Sequence, residues 1–318
     1  MAAPGAGPRL LASVQPRVFD RLTLEEDLRD VHGRTLGVCG LVISTESIAD
    51  AAQRAPRARR RSIGDTFAEA ELLGRLADPT YEHLFEGDGV RAGVSTVLRS
   101  IELPDALWDE LGALRAGVAE QWDHALVTAA IAVRMLLAAV GPARGVPELA
   151  AAALLHDLGM THLALRLRRG GGPLSRADAA EITHHPLLGA YHLASVLGPH
   201  PAVAAAQTHH WRCGQGYPAL PASPPRSILV VGVASAFAAL TRPRPFRSGA
   251  FDARGAADVL IDDVAAGHAD GNTVKLLVHA LRGGRGDVRQ VRFGHARLGH
   301  SPEVNRHAPL APPDRSPV

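Results

Sequence analysis

Apolar positions recur every three to four residues from about residue 103 to about residue 281, and this spacing predicts helices over most of that stretch. The pattern is strongest over 104–140 and 146–160, and Pro147 near the start of the second run is typical of a first helical turn. Asn272 is expected to cap the last helix, which the glycines at 283 and 284 should end. The pattern therefore predicts a mainly α-helical bundle over residues 103–283.

The chain before this stretch has a different pattern. Short β-type runs separated by glycines lie between residues 22 and 47, and the helix-like run SIADAAQRA follows them. Residues 19–102 are therefore predicted to form a small α/β or β-hairpin-containing module whose ligand is unknown. Five arginines fall within the nine residues 54–62, which are interpreted as a solvated linker or, alternatively, as a patch for an anionic partner.

Both ends of the chain are rich in small residues and proline. Residues 1–18 are expected to be a disordered lead-in, and residues 284–318 a proline-rich, partly ordered tail.

Composition narrows the class of protein. The chain has 318 residues, of which 46% are hydrophobic, which suffices for a large core. A net charge of +2 does not predict a groove for a nucleic-acid polymer. Cys39 and Cys213 lie far apart, so neither a disulfide framework nor a cysteine zinc site is expected, and a cytoplasmic location fits. The apolar run 125–140 is interrupted by Arg134 and is too short to predict a membrane span.

The 16 histidines carry the chemistry. Several stand beside a carboxylate or another histidine where a predicted helix ends. Any one of them taken alone would more often cap a helix or bond within the core. Together they indicate a metal cleft with more than one ion in a helical bundle. The residues concerned are Glu120 with His124 one helical turn later, the pair His156–Asp157, the pair His184–His185 before Pro186, and the pair His209–His210.

The order of these motifs, HDLGM, HHPLLG and then HHWRCGQGYP, resembles the HD-GYP domain over residues 105–283. That family is a branch of the HD metal-dependent phosphohydrolases, and its members hydrolyse the bacterial second messenger cyclic di-GMP. The β-containing stretch near residue 40 also resembles the short regulatory module that precedes such domains. The resemblance implies an HD-type helical bundle and a role in cyclic di-GMP signalling.

The resemblance also implies roles for particular residues. Asp157 would bridge two ions and act in catalysis, and an imidazole-rich set of ligands suits iron or manganese, with one or more ions per chain. The implied metal ligands are Glu120, His124, His156, Asp157, His185, His209 and His210. The turn Gly216, Tyr217 and Pro218 would face the dinucleotide together with Arg244 and Arg247, and Tyr217 would also count as catalytic. Alternatively, Tyr217 only caps a turn and the two arginines are solvated.

The chain departs from the family pattern at four positions. Met160 stands where the family has a lysine, Ser235 and Ala238 stand where it has aspartates, and Trp211 replaces a common glutamate. A serine hydroxyl is a poor substitute for an anionic ligand. The favoured interpretation is therefore a protein that binds metal and cyclic di-GMP with weakened or absent hydrolysis. The alternatives are an active phosphodiesterase that uses metal-activated water on cyclic di-GMP or a related phosphoester, and a scaffold for signalling proteins.

Overall fold

The computed structural model describes residues 19–62, 69–163, 175–220, 222–243 and 249–303. Over these residues the protein is mainly α-helical, which confirms the predicted fold class. The helices are α1 (Thr45–Arg54), α2 (Glu69–Leu76), α3 (Glu82–Phe85), α4 (Asp88–Arg99), α5 (Asp105–Gly117), α6 (Ala119–Val140), α7 (Val146–Leu155), α8 (Arg176–Ile182), α9 (His185–Leu197), α10 (Pro201–Thr208), α11 (Arg226–Thr241), α12 (Ala253–Ala265) and α13 (Gly271–Leu281).

The strands are short and form three antiparallel pairs in the described residues. β1 (Arg21–Thr23) pairs with β4 (Val42–Ser44), and β2 (Leu28–Arg29) pairs with β3 (Thr35–Gly37). These pairs confirm the predicted hairpin-containing unit. The third pair joins β5 (Arg60–Ser62) to β6 (Glu102–Pro104). The arginine-rich segment is exposed here, as a solvated linker would be, but its end is a strand that the sequence pattern did not predict.

Helix α6 is the centre of the bundle and contacts α4, α5, α7, α11 and α13. It is the one helix of the described residues that is long and apolar enough to cross a membrane, but 72% of its most apolar window is buried inside the fold. Arg134, which interrupts its apolar run, is only 5% exposed. Its guanidinium donates to the carbonyl oxygens of Leu84 at 2.7 Å and Ala280 at 3.4 Å, so the charge lies at the ends of α3 and α13. Burial lowers the pKa of Arg134.

The N-terminal residues pack against the bundle. The backbone N–H of Ala219 donates to the carbonyl oxygen of Phe19 at 2.8 Å. The amide of Gln207 on α10 donates to the Thr45 hydroxyl at 3.1 Å. Helix α1 also lies against α9. The strands and helix α1 therefore lie beside the elements that carry the HH and GYP motifs.

The last helix begins earlier than the sequence pattern predicts. Asp270, and not Asn272, is its N-cap: the Asp270 carboxylate accepts from the backbone N–H of Thr273 at 2.8 Å. With Asp270 as the cap, the helix begins at Gly271, and Asn272 therefore falls inside its first turn. The predicted end is confirmed, because Gly283 and Gly284 follow α13 with positive φ angles of 87° and 68°.

Candidate metal centre

Three helix ends bring the predicted ligands together. His156 and Asp157 follow the last residue of α7, His185 begins α9, and His209 and His210 follow α10. Helix ends leave backbone groups without intrahelical partners, so polar side chains are favoured there, and here they point into the same space. His124 differs, because it lies on the buried face within α6.

Two glycines allow the backbones of these motifs to touch. A Cβ placed on Gly159, two residues after Asp157, would lie 1.9 Å from the His185 carbonyl oxygen and 2.6 Å from the Gly189 nitrogen. A Cβ on Gly189 would in turn lie 2.8 Å from the Gly159 nitrogen. The glycines of the HDLG and HPLLG motifs are therefore required for the contact that seats His185 beside Asp157.

The ligand atoms form two overlapping groups that share Asp157. In each group the atoms lie within 4.8 Å of one another. The first group is Asp157, His185, His209 and His210, and the second is His124, His156 and Asp157. In the first group Asp157 Oδ1 lies 3.1 Å from His185 Nε2 and 3.4 Å from His209 Nε2.

The backbone decides which ring nitrogens of three histidines carry the proton. Nδ1 faces a carbonyl oxygen in His156 (Ala153, 2.8 Å), in His185 (Ile182, 2.6 Å) and in His209 (Ala206, 2.9 Å). A carbonyl only accepts, so each Nδ1 must donate, and the neutral ring then presents a lone pair on Nε2. Such second contacts are how proteins orient imidazoles toward a metal.

Two of the resulting lone pairs face one another, because His185 Nε2 lies 3.0 Å from His209 Nε2. Two acceptors at this distance repel unless a cation, either an added proton or a metal ion, lies beside them. His210 Nε2 lies 3.2 Å from His185 Nε2 on the same side of the cluster. His156 Nε2 is buried and has no hydrogen-bond partner among the described residues. This donor set therefore fits a metal ion better than it fits a network of hydrogen bonds.

The electrostatics of the cluster favour the forms that bind metal. Burial lowers the pKa of His156 to about 4, and burial together with the neighbouring histidines holds the pKa of His210 well below its usual range. Burial opposes ionisation of Asp157, but His185 and His209 outweigh it and hold the pKa of that carboxyl well below its usual range. Near neutral pH His156 and His210 are therefore neutral, and the Asp157 carboxyl beside them is ionised, which is the form that binds a metal ion.

The departures from the family pattern lie in or beside the cluster. Ser235, only 8% exposed on α11, has its hydroxyl 3.2 Å from His124 Nε2. A neutral group thus occupies the place where the resemblance predicts a carboxylate. Ala238, one turn along α11, is fully buried. Met160 packs partly buried against the hydrophobic core, so an apolar contact replaces the expected cation.

The remaining predicted residues are placed as follows. Glu120 is exposed at the start of α6 and belongs to neither ligand group, so its role as a ligand stays a prediction. Tyr217 stacks on His210, with ring centroids 4.4 Å apart and an angle of 23° between the planes. Burial raises the pKa of its phenol, so the hydroxyl stays protonated. Gly216 and Pro218 are the neighbours of Tyr217 in this turn. Arg244 and Arg247 lie outside the described residues.

Sequence reasoning missed the anchor of the segment between His210 and Gly216. Arg212 donates to Asp263 on α12 at 2.7 Å, and this ion pair ties the segment to a helix 51 residues away along the chain. Gly216 completes the packing, because a Cβ there would lie 1.8 Å from the His210 carbonyl oxygen. No local pattern could have indicated the Arg212 contact, since its partner is distant in sequence.

Known proteins that are similar to this chain are found among solved structures. No protein-family model matches the chain, and no curated protein matches it. Among solved structures it is similar to the HD domain of the L. monocytogenes phosphodiesterase PgpH in complex with cyclic-di-AMP, with 16% identity and a TM-score of 0.43 over 59% of this chain and 100% of that one. A second structure of that HD domain aligns with 16% identity and a TM-score of 0.41, over 55% of this chain and 95% of that one.

Proposed function

We propose that this chain is an HD-GYP-like protein that binds transition-metal ions and a cyclic dinucleotide, with cyclic di-GMP as the first candidate, and that its hydrolytic activity is weak or absent. The observation that carries the proposal is the convergence of imidazole Nε2 atoms on Asp157 beside a neutral Ser235. The first feature supports metal binding, and the second supports the loss of activity.

The two ligand groups would differ in their affinity for a metal ion. The group of Asp157 with His185, His209 and His210 offers four donors and would hold one ion. The group of His124, His156 and Asp157 offers three donors, and its neighbour Ser235 is neutral, so a second ion there would be held weakly. Iron or manganese suits such a set, because imidazole is a good ligand for both and the single carboxylate supplies a hard oxygen.

Bound metal would polarise a phosphodiester and lower the pKa of a water molecule at the site. The chain's own residues limit the hydrolysis that such a site could perform. Met160 supplies no proton or charge to a leaving oxygen, and the only lysine in the sequence, Lys275, lies on α13. Ser235 leaves one side of the cleft without a negative charge. Binding therefore depends on groups that are present, whereas turnover depends on groups that have been replaced.

The ligand surface would adjoin the cluster. Tyr217 is held by its stack on His210, so its position is coupled to that of a metal ligand. A tyrosine held in this way can contact a guanine base, and the arginines at 244 and 247 would pair with phosphate oxygens. Together, the contacts of Tyr217 with a base and of the two arginines with phosphate would bind a dinucleotide without any contribution from Ser235 or Met160.

The test begins with protein purified without oxygen and analysed for metals. We expect at least one iron or manganese ion per chain, and His185→Ala should remove most of it, whereas Gln215→Ala in the exposed loop should not. Calorimetry with cyclic di-GMP, and with cyclic di-AMP as a comparison, then measures binding on the same sample. A metal-free protein that cannot be reconstituted with either ion would refute the metal centre.

An active phosphodiesterase is the second candidate, because the four-donor group is complete. Hydrolysis of cyclic di-GMP in the presence of Mn²⁺ or Fe²⁺ separates the two. Turnover at about 1 per second or faster would establish the enzyme and overturn the proposal of weak hydrolysis. Binding with turnover slower by several orders of magnitude supports that proposal.

A further inference from the structure

A cavity separate from the metal centre lies between α12, α13 and the segment 293–297. Its volume is about 240 Å³, and it shares no residue with either ligand group. This exceeds the cavity of about 150 Å³ that is large enough to hold benzene. It can therefore accept a ring or a short alkyl chain with a small head group.

The inner wall of the cavity is apolar. Ala257 on α12 and Val278 on α13 are 5% and 6% exposed, and Phe293 closes the third side. Ala257 supplies only a methyl group, so the space it leaves is not filled by the neighbouring helix. An apolar body placed against these side chains would leave water, which is the main source of affinity in such sites.

The mouth of the cavity is positive. Arg254, Arg282 and Arg297 line it and are exposed to solvent. Arg254 is paired with Asp258 at 3.5 Å and Arg297 with Asp262 at 2.8 Å, but Arg282 forms no ion pair with any other described residue. The one carboxylate of the lining, Asp258, already accepts from the backbone N–H groups of Leu298 at 2.9 Å and Gly299 at 3.0 Å.

An apolar wall below an arginine with no carboxylate partner has a complementary ligand. We propose that this cavity binds a small amphipathic anion, namely a carboxylate attached to an aryl or short alkyl body. The body occupies the space beside Ala257, and the carboxylate pairs with Arg282, whose planar guanidinium matches two oxygens.

The probe for this site is 3-phenylpropanoate, with neutral 3-phenylpropanamide as its matched analogue, and the measurement is ligand-observed NMR or calorimetry on the full chain. We expect the acid to bind more tightly than the amide. Arg282→Gln should weaken the acid about threefold to tenfold, in keeping with a charge-assisted contact that is partly screened. Arg285→Gln removes the same charge from an exposed arginine outside the lining and should leave affinity unchanged.

Ala257→Phe fills the cavity and should abolish binding of both compounds, with circular dichroism used to check that the variant is folded. If that variant does not fold, Ala257→Leu makes the same test with a smaller side chain. The proposal is overturned if folded wild-type protein binds no 3-phenylpropanoate at millimolar concentration. It is equally overturned if binding survives the filled cavity, or if Arg282→Gln and Arg285→Gln weaken it by the same factor.

Discussion

Ser235 is the residue at which the candidate metal centre departs most from the family pattern that the sequence resembles. Its hydroxyl lies 3.2 Å from His124 Nε2, in the space where a carboxylate would join the group of His124, His156 and Asp157. A hydroxyl can hydrogen-bond to a ligand, but it cannot add the negative charge that holds a second divalent ion.

Restoring that charge should therefore change the metal content. We expect Ser235→Asp to raise the number of bound iron or manganese ions per chain and to tighten the weaker site by more than about 10- to 100-fold, which is the usual effect of a second-sphere group. Metal titration followed by elemental analysis measures this.

The control for this change is Ser235→Asn, which has nearly the same shape as aspartate but no charge, and it should not raise the metal content. Met160→Lys alone should also leave the metal content unchanged, because Met160 packs against the core and is not a ligand. Equal metal content in wild type, Ser235→Asp and Ser235→Asn would show that Ser235 does not limit the site.

Sequence reasoning could indicate which residues form the candidate site, but not their protonation. Five of them fall at predicted helix ends, and the resemblance implied that they lie together: His156, Asp157, His185, His209 and His210. The carbonyl groups that fix Nδ1 depend on the exact geometry of the last turn of each helix, to which local pattern is insensitive. The contact between Ser235 and His124 joins residues 111 positions apart, so only the folded chain reveals it.

At the scale of the helices, the stability of α10 should depend on pH through its N-cap. Its N-cap is His200, whose Nδ1 accepts from the backbone N–H of Ala202 at 3.1 Å. This contact requires an unprotonated nitrogen. Burial, aided by Arg60, lowers the pKa of His200 from 6.5 to about 4.

Acid should therefore destabilise α10, the helix that ends at the residue before His209. The folded state holds His200 neutral while the unfolded chain takes up a proton, so this contribution to stability is present above about pH 6.5 and is lost as pH falls toward 4. A proton there would also be unfavourable at the positive end of the helix dipole. The loss should be on the order of 1 kcal/mol, the usual value of an N-cap.

His200→Asn provides the comparison, since asparagine caps a helix and does not titrate. Urea unfolding at several pH values should show a smaller loss of stability on acidification in this variant than in wild type. Parallel curves for the two proteins would show that His200 is not the group responsible.

Stability should also depend on the close contact between the turn after α7 and helix α9. Because a Cβ on Gly159 would overlap the His185 carbonyl oxygen, Gly159→Ala must push these elements apart. We expect a loss of about 3 kcal/mol in the free energy of unfolding, together with loss of bound metal.

The matched control is Gly112→Ala on the exposed face of α5, where a Cβ would meet nothing within 4 Å. This change should stabilise the protein by about 0.5–1 kcal/mol through the helix propensity of alanine and leave metal content unchanged. Retention of metal and stability in Gly159→Ala would mean that the close approach is not required.

The spacing of apolar residues predicts most helices and strands, but it does not predict which strands pair with one another. The helices over 105–281 and the N-terminal hairpin follow from spacing and glycine positions. β5 does not, because three consecutive polar residues, Arg60 to Ser62, have no strand pattern of their own and are extended only by pairing with β6.

At the scale of the whole molecule, long-range polar contacts join the N-terminal residues to the bundle. The backbone N–H of Val31 donates to Glu110 on α5 at 2.7 Å, and the Tyr191 hydroxyl on α9 donates to the Leu36 carbonyl at 3.4 Å. These partners are 79 and 155 residues apart, so sequence could predict that a small unit precedes the helices but not where it lies. The contact at Glu110 is the shorter of the two and the better one to test.

Glu110 is 5% exposed, and burial raises the pKa of its carboxyl, against the opposing effect of the Val31 N–H. A glutamate with a raised folded-state pKa favours folding at acid pH, and this contribution is lost as pH rises through that pKa. Glu110→Gln keeps an oxygen acceptor for Val31 and removes the buried charge. At pH 7 it should therefore be as stable as wild type or more stable, and it should lack the wild-type decline in stability between acid and neutral pH.

Glu110→Ala leaves the Val31 N–H without its acceptor and should cost about 1–3 kcal/mol in the free energy of unfolding. Urea unfolding of the three proteins at acid and neutral pH, with hydrogen exchange at residues 28–37, measures both effects. If Glu110→Gln is destabilised as much as Glu110→Ala at pH 7, then the ionised carboxylate itself, and not its role as a hydrogen-bond acceptor, holds the N-terminal strands to the bundle.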